Sequence, residues 1–370
     1  MYLLIKPSSG ACNLRCRYCF YTDEMNCRKV ARRPFMSKEL FALIIDKALS
    51  HLSLQNCRDR NLSIGFQGGE PTLSGLEFFR FAVKYVSDKT PKGIKVAYFL
   101  QTNGMTLDEE WARFFKENNF LIGLSMDGNS ELHDKNRIDE RGAGTHKRVN
   151  ESARILRKYG CDFNILTVVT RDTARYPQKI YNYYKKLGFS FQQYIPCISP
   201  LDGEDTVFAL TPERYGDFLC KLFDVWYDDV VHGRAVYNRE FENYIGILLG
   251  RPPEECGMAG VCSVQYLIES DGSVYPCDFF ALDEYMLGNL STDSFSDIDG
   301  KRERIGFIER SKKLPGDCEA CRYLPLCRGG CCRNRNEDGK NRFCLAYKKF
   351  FEYALPRLQN IARAVANSRK

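Results

Sequence analysis

From the N-terminus to about residue 200, short runs rich in Val, Ile, Phe and Tyr alternate with longer segments whose apolar residues return every three or four positions. The runs Tyr2–Lys6, Leu62–Gln67, Ile94–Gln101, Phe120–Met126, Asp162–Val169 and Phe189–Ile195 predict strands. The segments Ser37–Leu52, Leu76–Ser87, Leu107–Asn118, His146–Tyr159 and Ala174–Leu187 predict helices, with Ser37, Thr72, Asp108 and Thr145 as caps or first-turn residues. Strand and helix alternating in this way build parallel βαβ units, so the fold class is α/β. The repeat falls two units short of a closed eight-unit barrel, leaving an open partial barrel or a doubly wound sheet. In a barrel, chemistry gathers at the C-terminal ends of the strands.

Beyond a looser stretch, Ser199–Ala209, the pattern changes. Thr211–Val231 reads as one long helix with an apolar stripe through Phe218, Leu222 and Val225. Val264–Glu269 and Ser273–Pro276 flank Asp271-Gly272, a strong hairpin signal. A cysteine-dense loop region follows, and Phe343–Val365 reads as a final helix despite Pro356.

Hydrophobic residues at 44% and charged residues at 27% exclude a disordered chain. No apolar run reaches the roughly 20 residues needed to span a bilayer, and the residues before Lys6-Pro7 are too few for a signal-peptide core. A cytoplasmic protein without a membrane partner is expected. Lys and Arg outnumber Asp and Glu by 54 to 47, a formal +7 that admits a nucleic-acid partner at first sight. The basic residues occur as pairs, Arg32-Arg33, Lys301-Arg302 and Lys312-Lys313, with no sustained stripe and no aromatic repeat for base stacking, so none is expected.

Seventeen cysteines are too many for a reducing compartment unless they bind metal. Cys12, Cys16, Cys19 and Cys27 crowd the N-terminus and nine lie between Cys256 and Cys344. Cys57, Cys161, Cys197 and Cys220 are scattered, as buried small hydrophobes are. Cys12-x3-Cys16-x2-Cys19 follows the first strand, where three thiolates suit a 4Fe-4S cluster with one iron left open; a zinc knot completed by Cys27 is the alternative. The C-terminal set runs Cys256-x5-Cys262-x14-Cys277, then Cys318-x2-Cys321-x5-Cys327-x3-Cys331, then Cys344. Its second group alone also admits a zinc ribbon.

Cys12-Asn-Leu-Arg-Cys16-Arg-Tyr18-Cys19-Phe20, together with Gln67-Gly68-Gly69-Glu70-Pro71 after the second strand, resembles the radical S-adenosylmethionine (radical SAM) superfamily. The resemblance implies a partial (βα)6 TIM-like barrel over 1–232, whose open iron chelates S-adenosylmethionine. It assigns Tyr18, Gly69, Ser125, Arg137 and Ile198 to that cosubstrate, with Ile198 replacing the family's leucine. The later cysteines resemble the SPASM extension, placed here at 233–344 with a linking helix and followed by a C-terminal helix over 345–370. SPASM implies two auxiliary 4Fe-4S clusters, held by Cys256, Cys262, Cys277 and Cys331 and by Cys318, Cys321, Cys327 and Cys344, with Cys332 as the surplus neighbour of Cys331. Three clusters on eleven thiolates would bring the formal +7 down to about +2.

Tyr275-Pro276-Cys277-Asp278-Phe279, Leu124-Ser-Met-Asp-Gly128 and Leu287-Gly-Asn289 extend the resemblance to the anaerobic sulfatase-maturating enzymes. It implies oxidation of a cysteine or serine in a sulfatase polypeptide, within a Cys/Ser-x-Pro/Ala-x-Arg type of motif, to Cα-formylglycine. A 5′-deoxyadenosyl radical would take a Cβ hydrogen, Asp278 would act as general base, and the auxiliary clusters would accept the electron. An electron donor such as flavodoxin or ferredoxin would reduce the first cluster. Another SPASM peptide maturase, forming a thioether cross-link, is the neighbouring reading.

Overall fold

A computed structural model of the chain describes residues 1–31, 33–54, 60–201, 206–234 and 236–368. Arg32, Cys57 and part of the loose stretch Ser199–Ala209, the residues 202–205, lie outside them. In chain order the strands are β1 (Tyr2–Lys6), β2 (Arg60–Phe66), β3 (Ile94–Thr102), β4 (Phe120–Ser125), β5 (Asp162–Val169), β6 (Phe191–Pro196), β7 (Tyr237–Asn238), β8 (Tyr266–Glu269), β9 (Ser273–Tyr275) and β10 (Gly288–Asn289). All six strands predicted in the first part of the chain are present, with ends shifted by at most two residues. The described residues form two compact units.

The first unit comprises Met1–Ser125, Asp134–Phe163 and Val264–Phe307. Its strands run in the order β10-β9-β8-β1-β2-β3-β4, with β1 to β4 parallel. Leu3, Leu4 and Ile5 are all buried, as expected for a parallel strand covered on both faces. The predicted hairpin is β8 and β9, and it does not stand apart. β8 pairs in parallel with β1, Ile5 opposite Ile268 and Lys6 opposite Glu269, so the edge of β1 is covered. Leu4, Leu267, Tyr275 and Ala281 form one core cluster at this junction.

Local capping explains some of the helix starts. The helix Lys38–Leu54 begins where the Leu40 N–H donates to Ser37 Oγ at 3.1 Å, and it buries Phe41, Ile44, Ile45, Ala48, Leu49 and Leu52. Asp108 accepts from the N–H groups of Glu110 and Trp111 to cap Glu109–Glu117. Thr145 makes no capping bond; its hydroxyl donates to the Arg137 carbonyl at 2.8 Å. Thr72 sits inside a 3-10 turn, Pro71–Ser74, which Glu70 caps.

The second unit comprises Met126–His133, Asn164–Ser263 and Ile308–Lys370. Within it β5 pairs in parallel with β6, and β6 with β7. The helix predicted from Ala174 is split into a 3-10 turn, Thr173–Arg175, and a helix, Pro177–Lys186. Pro177 lacks an N–H and suits the first helical position, so the helix starts there. Thr211 caps Pro212–Val231, which packs on Cys344–Asn367 through Phe223 and Phe350, with ring centroids 5.7 Å apart. The last helix runs unbroken through Pro356. No helix among the described residues is long and apolar enough to cross a membrane.

Candidate active site and cluster-binding loops

The chain leaves β1 at Lys6 and enters the loop carrying Cys12, Cys16 and Cys19, all half-buried. Two backbone clamps shape this loop. On one side the N–H groups of Gly69 and Glu70 donate to the carbonyls of Ser9 and Ala11, each at 2.8 Å. On the other, Arg15 and Arg17 donate to the carbonyls of Ile138 and Asn136, and Leu14 bridges to Asp139. Gly69 is glycine for a steric reason: an added Cβ would lie 2.1 Å from the Ala11 carbonyl oxygen. Its neighbour Gly68 has φ +129°, open to glycine alone.

Glu70 ties the second strand to the cysteine loop. Its buried carboxylate accepts from the hydroxyls of Thr72 and Thr102 and from the Asn103 N–H at 2.7 Å. The Asn103 amide then donates to Asn13 at 2.8 Å and lies 3.7 Å from Cys12 Sγ. Burial, with Glu70, Cys16 and Cys19 nearby, pushes the Cys12 thiol up to about 12. Cys16 and Cys19 stand near enough to contribute to that rise, so the three thiols share one neighbourhood on the loop. That donor set, three half-buried thiols on one loop, has the soft-ligand chemistry that an iron-sulfur cluster takes.

The clamp on 136–139 has a second effect. It carries the buried Arg137 to Tyr18, with the guanidinium carbon 5.5 Å from the ring centroid. Ser125, the last residue of β4, is buried in the same unit. Ile198 is half-buried and follows β6 in the second unit. The structure thus gathers Tyr18, Gly69 and Arg137 around the cysteine loop within the first unit.

Beyond Pro276 the chain folds into the 3-10 turn Asp278–Phe280. Phe279 packs on Phe20, the residue after Cys19, with ring centroids 5.0 Å apart. Asp278 is 8% exposed. Lys6 Nζ lies 2.6 Å from its Oδ1, and Gln67 Nε2 donates to its Oδ2 at 2.7 Å. The carboxylate therefore sits where β1 and β2 end, beside the Gly68-Gly69 edge. Below it is a buried charged group that composition could not reveal. Glu269 accepts from Tyr21 at 2.5 Å, from Arg28 at 2.7 Å and from Ser9 at 3.0 Å. Burial raises the Glu269 carboxyl, but Lys6 and Arg28 outweigh it and hold the group below the ordinary range. Breaking a buried pair from one side costs on the order of 3–5 kcal/mol, so this arrangement is stiff.

In the second unit, Cys318, Cys321, Cys327 and Cys344 line one pocket with Tyr323, Tyr347 and Phe351. Burial, with the other three thiols nearby, pushes Cys327 up to about 11. A second group forms around Cys331, which burial also pushes up to about 11 with Cys256 and Cys332 as neighbours. Cys262 Sγ lies 3.8 Å from Cys332 Sγ, and this contact draws Cys332 down to about 6. Cys277 belongs to the first unit. Of the scattered cysteines, Cys161 and Cys197 are buried and Cys220 is half-buried, while Cys27 of the N-terminal group is exposed.

Residues 7–184 match the family described as the radical SAM superfamily, and 256–322 match an iron-sulfur cluster-binding domain, SPASM. The cysteine-type anaerobic sulfatase-maturating enzyme of Clostridium novyi (strain NT) is 43% identical over 371 residues, covering 98% of both chains. The serine-type enzyme of Bacteroides thetaiotaomicron is 29% identical, covering 99% of this chain and 92% of its own. A solved structure of native anSMEcpe with bound AdoMet and the Cp18Cys peptide superposes with a TM-score of 0.90 at 42% identity, covering 98% of this chain and 99% of that one. Matched in this way from end to end, the chain belongs to the anaerobic sulfatase-maturating enzymes, which are radical SAM enzymes with a SPASM domain.

Proposed function

We propose that the protein oxidises a cysteine of a sulfatase polypeptide to Cα-formylglycine, with Asp278 taking the thiol proton. One observation carries this reading. In a chain that cysteine-type maturases match over 98% of its length, Asp278 is a buried carboxylate held between Lys6 and Gln67 beside the Gly68-Gly69 edge.

Cys12, Cys16 and Cys19 would hold the first cluster, with Tyr18, Gly69, Ser125 and Arg137 around S-adenosylmethionine. Arg137 suits the cosubstrate's carboxylate because its planar fork binds two oxygens. Cys318, Cys321, Cys327 and Cys344 would saturate an auxiliary cluster, leaving it no iron for substrate. When bound, these groups supply a 5′-deoxyadenosyl radical and accept one electron from the substrate.

The chain's own residues handle the proton. Loss of a Cβ hydrogen atom, of the S–H proton to Asp278, and of one electron converts the CH2–SH group to a C=S group. Water then replaces sulfur, releasing hydrogen sulfide and leaving the aldehyde. Asp278 suits its step because each oxygen, although engaged once, keeps a second acceptor site. A flavodoxin or ferredoxin would supply the electron that starts each cycle.

Competition between two peptides that differ only in cysteine or serine at the target position tests the substrate. The cysteine peptide should be converted at least about tenfold faster, since the site must discriminate S–H from O–H at the base. Equal or faster conversion of the serine peptide would contradict a cysteine-type enzyme.

A further inference from the structure

Lys6 is fully buried at the end of β1, in a strand otherwise built of Tyr, Leu and Ile. A buried ammonium is costly unless it is paired, and even a paired one is seldom more stabilising than an apolar side chain of the same size. Packing alone gives no reason for a lysine there. Its surroundings are specific. Nζ lies 2.6 Å from Asp278 Oδ1 and 3.3 Å from the centroid of the Tyr21 ring. Tyr21 is itself fixed by its bond to Glu269, which pairs with Arg28.

Burial pulls the Lys6 ammonium down. The charges of Asp278, Tyr21, Glu269 and Glu24 raise it by more, so it stays above the ordinary lysine value and is a permanent cation. The register partner of Lys6 across the β1–β8 pair is Glu269, so the parallel pairing of the two strands sets where the cation stands.

Building on the proposed role of Asp278, we infer that Lys6 is the positioning residue of that base. The ammonium, clamped over Tyr21, attracts Oδ1 as an ion pair while Gln67 hydrogen-bonds Oδ2, and the two contacts together favour one orientation of the carboxylate. A lone carboxylate on a 3-10 turn would rotate about its side-chain bonds. Fixing it matters because the proton must leave during the short life of the substrate radical, and a misplaced base loses that competition. Lys6 touches neither substrate nor cosubstrate in this scheme; it acts through Asp278.

The test compares Lys6→Met, Lys6→Gln and Asp278→Asn as holoenzymes loaded with iron under anaerobic conditions. Two quantities are read: aldehyde formed per 5′-deoxyadenosine, and the position of the Asp278 carboxylate in crystals of the lysine variants. Lys6→Met should lower the ratio by at least about tenfold, with the peptide KM within about twofold, and the carboxylate should swing away from Gln67. If Lys6→Met fails to take up iron, Lys6→Gln, which keeps a donor on a shorter stem, carries the same two readouts. An unchanged ratio, or a carboxylate still on Gln67, overturns the inference. In the Asp278→Asn background Lys6→Met should cause no further loss, and an additive loss overturns it too. The Asp278→Asn enzyme separates the two levels. If it keeps its aldehyde yield, the base assignment itself fails; if it loses the yield while Lys6→Met keeps it, only the role of Lys6 fails.

Discussion

Replacing Asp278 by Asn is expected to lower aldehyde formation by about 10²–10⁴-fold, the usual worth of a positioned general base, while 5′-deoxyadenosine continues to form. The substitution is nearly isosteric. It keeps an oxygen for the Gln67 amide and leaves the 3-10 turn and the Phe279–Phe20 contact untouched. What it removes is the ability to accept a proton, together with the negative charge that faces the buried Lys6 ammonium. The substrate radical would then form, fail to lose its thiol proton, and recover a hydrogen, so consumption of S-adenosylmethionine would run without product. Iron content equal to that of the native protein is the control. Aldehyde yield that does not change would remove Asp278 from the chemistry.

The second large effect belongs to the first cysteine trio. Changing Cys12, Cys16 and Cys19 together to Ala should reduce iron from about 12 to about 8 per chain and abolish 5′-deoxyadenosine altogether. The loop should survive the change, because its shape comes from backbone bonds to Gly69, Glu70 and the 136–138 segment rather than from the thiols. The auxiliary thiols lie far along the chain, at Cys318, Cys321, Cys327 and Cys344, with their own buried surroundings. Persistent 5′-deoxyadenosine would refute the assignment of the trio to cosubstrate cleavage. Loss of all iron would instead mean that the trio is needed for the whole protein to fold.

These residues differ in how openly the sequence declares them. The cysteine spacings and the Gly-Gly-Glu-Pro turn are local, and local pattern is what a sequence displays. The same holds for the strands of the first part of the chain and for the helices that Ser37 and Asp108 cap, where period and capping agree. The pairing of β8 with β1 was not legible, because it joins residues more than 250 positions apart through a register that no local signal encodes. With it went Lys6 and Glu269, whose importance lies entirely in what that pairing brings beside Asp278. One signal was present: a lysine closing an otherwise apolar buried strand is an oddity that asks for a partner. Gly69 taught the converse. The resemblance assigns it to the cosubstrate, and the structure adds a nearer cause, the Ala11 carbonyl pressed against it.

The most direct test is anaerobic incubation of the native holoenzyme with a sulfatase peptide of the Cys-x-Pro-x-Arg type, S-adenosylmethionine and a reductant, followed by mass spectrometry of the peptide. The predicted product has exchanged its S–H group and one Cβ hydrogen for a carbonyl oxygen, reacts with hydrazines as an aldehyde does, and appears together with 5′-deoxyadenosine. A peptide that returns unchanged, or that has lost only hydrogen to form a thioether cross-link, would contradict the assignment.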